Sequence, residues 1–269
     1  MGIFDFFKGK KENSNDSVSR VNWNDTEDVG VVTHFKGKPF TGVCFGLHEN
    51  GNLKEEYEIL DGLKHGKAVL YYENGQLAAE GSFKKNEEDG IWKVYSENGQ
   101  LNSEGNFKEG EKDGTWRIYH ENGQLESEGN FKEGEKDGTW RIYYENGQLE
   151  NEGSFRNDKR EGLWKVYHEN GQLEEEQYYK DDKADGLWMY YYENGQLKAK
   201  VNWKEDKQDG LTQEYNENGD LDAETYFKEG VINQEKSSNF SEEHIHNNNL
   251  DSELQNDFPV KKAIENYFI

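Results

Sequence analysis

The chain repeats itself every 24 residues, and this period limits its fold more than any other feature of the sequence. The tripeptide Glu-Asn-Gly ends at eight glycines with a constant spacing, Gly51, Gly75, Gly99, Gly123, Gly147, Gly171, Gly195 and Gly219. A second glycine series from Gly42 to Gly210 keeps the same period. A fixed period of this length is typical of arrays built from one small supersecondary unit. Eight units fill residues 42–233, and a half unit at Phe35-Lys36-Gly37 precedes them.

Each unit predicts a β-hairpin. Asn-Gly between two alternating segments is the strongest short-range hairpin signal, so we expect a type I′ turn at Asn122-Gly123. With this tip, one face should carry the pairs His120/Leu125, Ile118/Ser127 and Trp116/Gly129, and the other Tyr119/Glu126, Arg117/Glu128 and Thr115/Asn130. Because Gly129 has no side chain, the indole of Trp116 is expected to lie across it. Residues 132–137 are expected to form a polar second turn.

The charge pattern supports this register. Pairs of opposite sign recur at the same positions as Arg117/Glu128, Lys93/Glu104, Arg141/Glu152 and Lys165/Glu176. An exposed pair contributes only a few tenths of a kcal/mol, so the pairs report the register more than they explain stability. The sequence therefore predicts an all-β fold, an elongated antiparallel β-meander of eight 24-residue hairpins with about sixteen strands.

The sequence divides into three parts. Residues 1–28 are predicted to be a flexible N-terminal segment that begins with a short apolar patch, and residues 29–233 form the predicted repeat domain. Residues 234–269 are predicted to be a flexible acidic tail. A short helix is expected near its end, because Asp257 is a good N-cap and Pro259 is tolerated in a first turn.

Composition restricts the partners and the compartment. The 269 residues carry a formal charge of −24, which disfavours nucleic acids and anionic membranes and favours a basic protein partner. Only one cysteine is present, so a reducing, cytoplasmic location is the simpler interpretation. No apolar run approaches the ~20 residues of a membrane helix, and no signal peptide is apparent. The oligomeric state is left open.

Comparison of the eight copies of the repeat also shows whether any position could carry catalysis or bind a metal. His48, His120 and His168 share one position of the repeat with Tyr, Ser and Asn, and a metal ligand or general base would not tolerate that exchange. Cys44 takes a core-facing position in the first unit, where a small buried residue is expected rather than a nucleophile. No catalytic motif is found. We therefore predict no catalytic residue, no cofactor and no metal, and a protein that is not an enzyme.

Two sets of positions stand out instead. The structural framework consists of the central tryptophans and the turn glycines, Trp92, Trp116, Trp140, Trp164, Trp188, Gly75, Gly99, Gly123, Gly147, Gly171 and Gly195. The candidate partner-binding residues form one tyrosine column on the charged face, Tyr71, Tyr95, Tyr119, Tyr143, Tyr167, Tyr191 and Tyr215. Tyrosine is favoured at interfaces. The alternative is that these rings only pack along neighbouring hairpins.

The unit, with Asp113-Gly114, Trp116, Tyr119, the run Glu121 to Leu125 and Glu128-Gly129, resembles the MORN-repeat variant of bacterial proteins. In particular it resembles the family of YwqK-type antitoxins of toxin–antitoxin systems. The resemblance implies an interaction module for proteins or lipids, and the antitoxin family implies binding and neutralising a protein toxin. It carries over no catalytic residue. The end units depart from the pattern. Cys44 and Thr212 stand in place of Trp, whereas Tyr57 and Thr225 stand in place of Gly.

The leading hypothesis is a non-enzymatic protein-interaction module, an antitoxin or immunity protein that neutralises a basic toxin. One alternative is a ligand-binding module for a glycan or a choline-like cation, in which aromatic rings stack on sugars or enclose the cation. A second alternative is a structural scaffold.

Overall fold

The computed structural model describes residues 19–233. They fall into two compact units, residues 19–183 and residues 184–233. The first 18 residues of the predicted N-terminal segment lie outside the described residues, as does the predicted tail, 234–269, with its short helix near Asp257.

The predicted all-β fold is confirmed. Each of the eight repeats forms an antiparallel hairpin of two long strands. In chain order the paired strands are Gly42–Leu47 with Leu53–Leu60, Leu63–Tyr71 with Leu77–Lys84, Gly90–Tyr95 with Leu101–Lys108, Gly114–Tyr119 with Leu125–Lys132, Gly138–Tyr143 with Leu149–Arg156, Lys159–Tyr167 with Leu173–Lys180, Gly186–Tyr191 with Leu197–Lys204, and Gly210–Tyr215 with Leu221–Lys228. We call these hairpins 1 to 8.

Shorter elements connect and precede the hairpins. Two-residue strands follow most hairpins, at Glu87–Glu88, Glu111–Lys112, Glu135–Lys136, Lys183–Ala184, Lys207–Gln208 and Val231–Ile232. The elements before hairpin 1 are the strand Arg20–Asn22, a 3₁₀ turn at Trp23–Asp25, and the strands Glu27–Val29, Val32–Phe35 and Lys38–Pro39.

The central register agrees with the prediction. Trp116 pairs with Gly129, Arg117 with Glu128, and Ile118 with Ser127. The four predicted charge pairs are confirmed as register partners, Lys93 with Glu104, Arg117 with Glu128, Arg141 with Glu152 and Lys165 with Glu176. Successive hairpins in the first unit also pair antiparallel, so each unit of the repeat extends the same meander.

The turn at the hairpin tip differs from the prediction. The His120 N–H donates to the Gln124 carbonyl oxygen at 2.8 Å, and the Gly123 N–H donates to the His120 carbonyl oxygen at 2.8 Å. Gly123 has φ +84°, whereas Asn122 does not adopt a positive φ. The loop is therefore the three residues Glu121-Asn122-Gly123, a type I turn followed by a left-handed glycine, and the predicted type I′ turn is wrong.

This longer loop changes the pairing next to the tip. Tyr119 pairs with Leu125, and the register shifts by one residue between Ile118 and Tyr119. The predicted pairs Tyr119/Glu126 and His120/Leu125 are therefore wrong, because Glu126 is the extra residue of a β-bulge. The same shift occurs in each of the eight hairpins.

The two-residue turn of the primed type lies at the other end of the hairpin. Glu133 and Gly134 both have positive φ, +51° and +80°, and Lys132 pairs with Glu135 across them. This is the segment predicted only as a polar second turn. In hairpin 5 the same turn is made by Asn157 and Asp158, which tolerate this conformation better than most residues.

Ordered structure begins before the predicted domain boundary at residue 29. The strand Arg20–Asn22 pairs in parallel with Gly42–Leu47, the first strand of hairpin 1. The Arg20 guanidinium lies 4.1 Å above the Phe45 ring centroid, and its Nε donates to Glu56 Oε1 at 2.7 Å. This strand covers an edge of the array that would otherwise present unpaired backbone groups.

A row of aromatic rings forms the core of the first unit. Neighbouring ring centroids are 5.0 to 6.5 Å apart, and the interplanar angles are steep. Aromatic pairs favour this edge-to-face arrangement. The row runs through Tyr57, Phe83, Trp92, Phe107, Trp116, Phe131, Trp140, Phe155, Trp164 and Tyr179. The ring row thus runs along one face of the sheet and links successive hairpins.

The glycines under this row are covered by a different tryptophan from the one predicted. Gly129 pairs with Trp116 in the backbone register, but a Cβ at Gly129 would lie 2.1 Å from Cδ2 of Trp140. Trp140 comes from the next hairpin, and its Nε1 donates to the Asn130 carbonyl oxygen at 3.2 Å. The glycine therefore allows the indole of hairpin 5 to lie on hairpin 4, and it links successive repeats.

Candidate protein-interaction surface

The residues with potential chemistry have structural roles. Cys44 is completely buried, and burial, together with the charge of Asp28, raises the pKa of its thiol to about 12. At neutral pH this side chain is a thiol, and a thiolate is what a nucleophile or metal ligand requires. Cys44 packs with Val21, Phe40 and Tyr57 in the core beside hairpin 1.

At several hairpins the position shared by His and Tyr donates a hydrogen bond to the next hairpin. His120 Nε2 donates to the carbonyl oxygen of Tyr143 in the next hairpin at 2.8 Å, and His48 Nε2 makes the same bond to Tyr71 at 2.8 Å. The Tyr144 hydroxyl takes this role in hairpin 5, at 2.7 Å from the Tyr167 carbonyl oxygen. Both side chains supply a donor of similar reach, which explains why they exchange.

All seven tyrosines of the candidate column are half-buried, and most are held by hydrogen bonds. In hairpins 3 to 6 the hydroxyl of the column tyrosine donates to a glutamate of the preceding hairpin at 3.0 to 3.4 Å. The pairs are Tyr95 with Glu80, Tyr119 with Glu104, Tyr143 with Glu128, and Tyr167 with Glu152. In the second unit the Tyr191 hydroxyl lies 3.6 Å from Met189 Sδ, and the Tyr215 hydroxyl donates to Gln213 Oε1 at 3.2 Å. The rings therefore pack between hairpins and also present one edge to solvent.

The charges around the tyrosines neutralise one another. Arg117 lies 3.4 Å from Glu128 of its own hairpin and 3.9 Å from Glu104 of the preceding one. Arg141 repeats this arrangement, 3.6 Å from Glu152 and 3.8 Å from Glu128. The cations and carboxylates thus alternate along the sheet, and this face carries little net charge.

Burial and these neighbouring carboxylates raise the pKa of several column tyrosines. Burial raises the pKa of Tyr167 to about 12, and the hydrogen bond to Glu152 and the charges of Glu152 and Glu176 add to the shift. Burial is also the largest cause of the raised pKa of Tyr95, Tyr119 and Tyr143. These four phenols are therefore neutral throughout the physiological range.

This shift predicts an alkaline transition. Because the pKa of Tyr167 is raised from its usual value of about 10, its contribution to stability is complete below pH ~10 and is lost as the pH rises towards about 12. Phenolate absorbance in the native protein should therefore rise at higher pH than in the urea-unfolded chain. The variant Tyr167→Phe should lose less stability over the same interval. Identical native and unfolded titration curves would contradict the prediction.

The turn tips form a second feature of the surface. Each Glu-Asn-Gly tip of the first unit exposes a glutamate, and we call the set the acidic turn row: Glu49, Glu73, Glu97, Glu121, Glu145 and Glu169. Neighbouring tips touch, because the Asn122 side chain donates to the Glu145 carbonyl oxygen at 2.8 Å and Asn50 to that of Glu73 at 3.0 Å. The tips therefore lie side by side, with their glutamates along one edge of the sheet.

The same asparagines fix each tip internally. Asn122 Oδ1 accepts the Gln124 N–H at 2.9 Å while its Nδ2 reaches the next tip. This double role requires a short side chain with both a donor and an acceptor. It gives a structural reason for the asparagine at the tips of hairpins 1, 2, 4, 5 and 7, where both bonds are made.

The bulge residues add charge beside the row. Glu126 and Glu150 are half-buried, and burial is the largest cause of the raised pKa of each carboxyl. For Glu150 the charge of His120 lowers the pKa, while Glu126, Glu169 and Glu174 raise it. The tips of hairpins 4 to 6 thus each carry a second carboxyl group, at Glu126, Glu150 and Glu174.

Sequence reasoning named the tyrosine column and missed the acidic turn row. The signal was present, because glutamate begins every Glu-Asn-Gly tripeptide, but it was interpreted only as part of a turn. Within residues 19–233, no group of three His, Cys, Asp or Glu side chains is arranged to hold a metal ion. The described part of the chain also contains no helix long and apolar enough to cross a membrane.

The solved structures that resemble this chain do so weakly. Similar chains occur in the crystal structures of TcdB2-TccC3, with 13% identity and a TM-score of 0.19, and of TcdB2-TccC3-Cdc42, with 14% identity and a TM-score of 0.18. The matches cover 75% and 72% of this chain but only 13% and 14% of those chains. No curated protein matches the sequence.

The sequence family gives a direct result. The family described as the MORN repeat variant matches seven stretches that together exceed half of the chain, residues 64–85, 88–109, 112–133, 136–157, 160–181, 184–205 and 208–235. Hairpin 1, whose Cys44 and Tyr57 replace the usual Trp and Gly, precedes the first matched stretch. With its eight hairpins, its ring row and its repeated turns, the chain belongs to the MORN repeat variant family.

Proposed function

We propose that this repeat protein is a non-enzymatic interaction module that binds a basic protein partner along the acidic turn row. In its more specific form the proposal is an antitoxin or immunity protein of the cytoplasm that neutralises a basic protein toxin. The formal charge of −24 supports a basic partner.

The acidic turn row is the observation that carries this proposal. Two strands separate successive tips, so at ~4.8 Å per strand the glutamates follow one another at about 10 Å. This spacing is close to the Debye length of ~10 Å at 0.1 M salt, so the fields of neighbouring carboxylates add. Contacts between the tips hold the backbone in place before a partner arrives. Such a row would steer a basic protein and fix its orientation.

The aromatic face fits the glycan-binding or choline-binding alternative poorly. Trp116 and Trp140 are only 4% and 2% exposed, so their rings cannot stack on a sugar. Lys112 lies 4.6 Å from the Trp116 ring centroid, and Lys136 lies 5.4 Å from that of Trp140. These lysines already occupy the place of a bound cation. If no partner binds, the alternative of a structural scaffold is favoured instead.

The partner can be sought by co-expression with the product of the neighbouring reading frame. We expect that product to be basic, to inhibit growth when expressed alone, and to co-purify with this chain when growth is restored. A neighbour that is harmless alone and never co-purifies would count strongly against the antitoxin form of the proposal.

Charge reversal tests the surface. The triple change Glu121→Lys, Glu145→Lys and Glu169→Lys should weaken binding of the basic partner at least tenfold at 0.1 M salt and reduce its salt dependence. The matched control is Glu109→Lys, Glu133→Lys and Glu205→Lys, which changes the net charge equally at the other turns, where Lys85 already occupies the equivalent position. Equal weakening by both triples would contradict a role for the acidic turn row.

The tyrosine column needs a separate test. Tyr119→Ala together with Tyr143→Ala removes two half-buried rings from the face beside the row. If the column contacts the partner, this variant should bind more weakly even at temperatures where it remains fully folded. Unchanged affinity would assign these tyrosines to packing alone.

A further inference from the structure

Hairpin 8 lacks the indole that fills the core of the central hairpins. Thr212 stands where hairpins 4 to 6 place a tryptophan that is 2 to 4% exposed. Val201 and Thr225 stand at the positions of the covered glycines in the preceding and the same hairpin. Val201 and Thr225 therefore occupy space that the glycines leave to an indole in the central hairpins. Beside them the second unit contains a cavity of about 360 Å³, which Thr212 also lines.

The cavity has the dimensions and walls of a small-ligand site. Ligand pockets range from ~300 to 1,000 Å³ and are mostly apolar with a few polar groups. The apolar part of the wall comes from Tyr190, Val201, Phe227 and Ile232. A planar aromatic ring is a ligand that packs well against such side chains.

Two buried oxygens of residues that line this cavity have no hydrogen-bond donor among residues 19–233. The buried atoms Thr212 Oγ1 and Gln208 Oε1 have no hydrogen-bond partner within the described part of the chain, and Thr212 is only 6% exposed. Buried acceptors without a donor are costly, so a ligand that supplies one is favoured.

A carboxyl group completes the wall. Glu214 takes the position that is Ile118 or Ile142 in the first unit, and it lines the cavity with Asp222 and Lys198. Burial is the largest cause of the raised pKa of Glu214; the charge of Asp222 raises it further, and that of Lys198 lowers it. Charged or neutral, this group adds acceptor capacity to the site.

We propose that the cavity of hairpins 7 and 8 binds a planar aromatic ring that carries an N–H donor, a ligand of the indole class. The ring packs against Val201 and Phe227 and donates its N–H to Thr212 Oγ1 or Gln208 Oε1. This site is separate from the acidic turn row and does not depend on the proposed protein partner.

Titration of the full chain with indole tests the proposal by calorimetry and by saturation-transfer NMR. We expect saturable 1:1 binding. The probe 1-methylindole has nearly the same ring but no donor, and it should bind about 2- to 10-fold more weakly, the equivalent of one hydrogen bond of about 0.5–1.5 kcal/mol.

Substitutions at residue 212 assign the site. Thr212→Trp fills the cavity with the chain's own indole and should abolish binding of added indole. The matched control Thr139→Trp adds an indole at an exposed position of hairpin 5 and should leave binding unchanged. Thr212→Val keeps the shape without the hydroxyl and should reduce the discrimination between indole and 1-methylindole.

Two results would overturn the proposal. The first is that the native chain shows no saturable binding of indole. The second is that a folded Thr212→Trp variant binds indole as tightly as the native chain does. If Thr212→Trp does not fold, unchanged discrimination in Thr212→Val overturns the role of the hydroxyl. None of these variants touches the acidic turn row, so their failure would not weaken the proposed function.

Discussion

Replacing Trp140 with alanine is expected to lower the free energy of unfolding by about 3–5 kcal/mol. The side chain is 2% exposed and lies in the ring row, with centroids 5.3 Å from Phe131 and 5.9 Å from Phe155. Alanine removes both ring contacts and the hydrogen bond to the Asn130 carbonyl oxygen. A large-to-small change in such a closely packed row leaves a cavity that the neighbouring side chains fill only in part.

Urea denaturation followed by far-UV circular dichroism would measure this change. Ile91→Ala is the control, because Ile91 is a large apolar residue of the same sheet that is 65% exposed, and it should shift stability by no more than about 0.5 kcal/mol. A loss below about 1 kcal/mol for Trp140→Ala would mean that the ring row is not the stabilising core.

Gly129→Ala is expected to destabilise the protein by at least about 2 kcal/mol, although alanine is normally better than glycine inside a strand. The new Cβ would lie 2.1 Å from Cδ2 of Trp140, closer than any real contact, so the indole of hairpin 5 would have to leave its place. The expected loss of stability is therefore opposite in sign to the gain that the strand propensity of alanine alone would give.

A double-mutant cycle identifies the tryptophan that covers Gly129. With Trp140 already changed to alanine, Gly129→Ala should cost at least about 1 kcal/mol less, because the clash is gone. With Trp116 changed to alanine instead, the cost of Gly129→Ala should remain within about 0.5 kcal/mol of its original value. Stronger coupling to Trp116, the register partner, would contradict the packing described here.

The strand register was predictable because two independent patterns specify it. Alternation along Thr115 to Ile118 and the opposite charges of Arg117 and Glu128 permit only one alignment of the hairpin centre, and the structure has it. The turn was not predictable from the dipeptide Asn-Gly, which suits both a two-residue and a three-residue loop. Side-chain bonds of Asn122 to its own tip and to the next tip accompany the longer loop.

The candidate site was predictable only in part. The position of the tyrosines on the charged face follows from alternation, but their hydrogen bonds to glutamates of the preceding hairpin do not. The contacts between neighbouring tips, which place the acidic turn row along one edge, likewise connect residues of different repeats. A single repeat contains no information on these contacts.

The sequence alone determined the hairpin, its length and the residues on each face, because the period and the alternation act within one unit. Only the tertiary structure decided which hairpin supplies the indole over each glycine and where the array leaves a cavity. The reason is the repeat itself: Trp116 and Trp140 have nearly identical neighbours in sequence, so contacts within a hairpin and contacts between hairpins look alike until the strands are placed side by side.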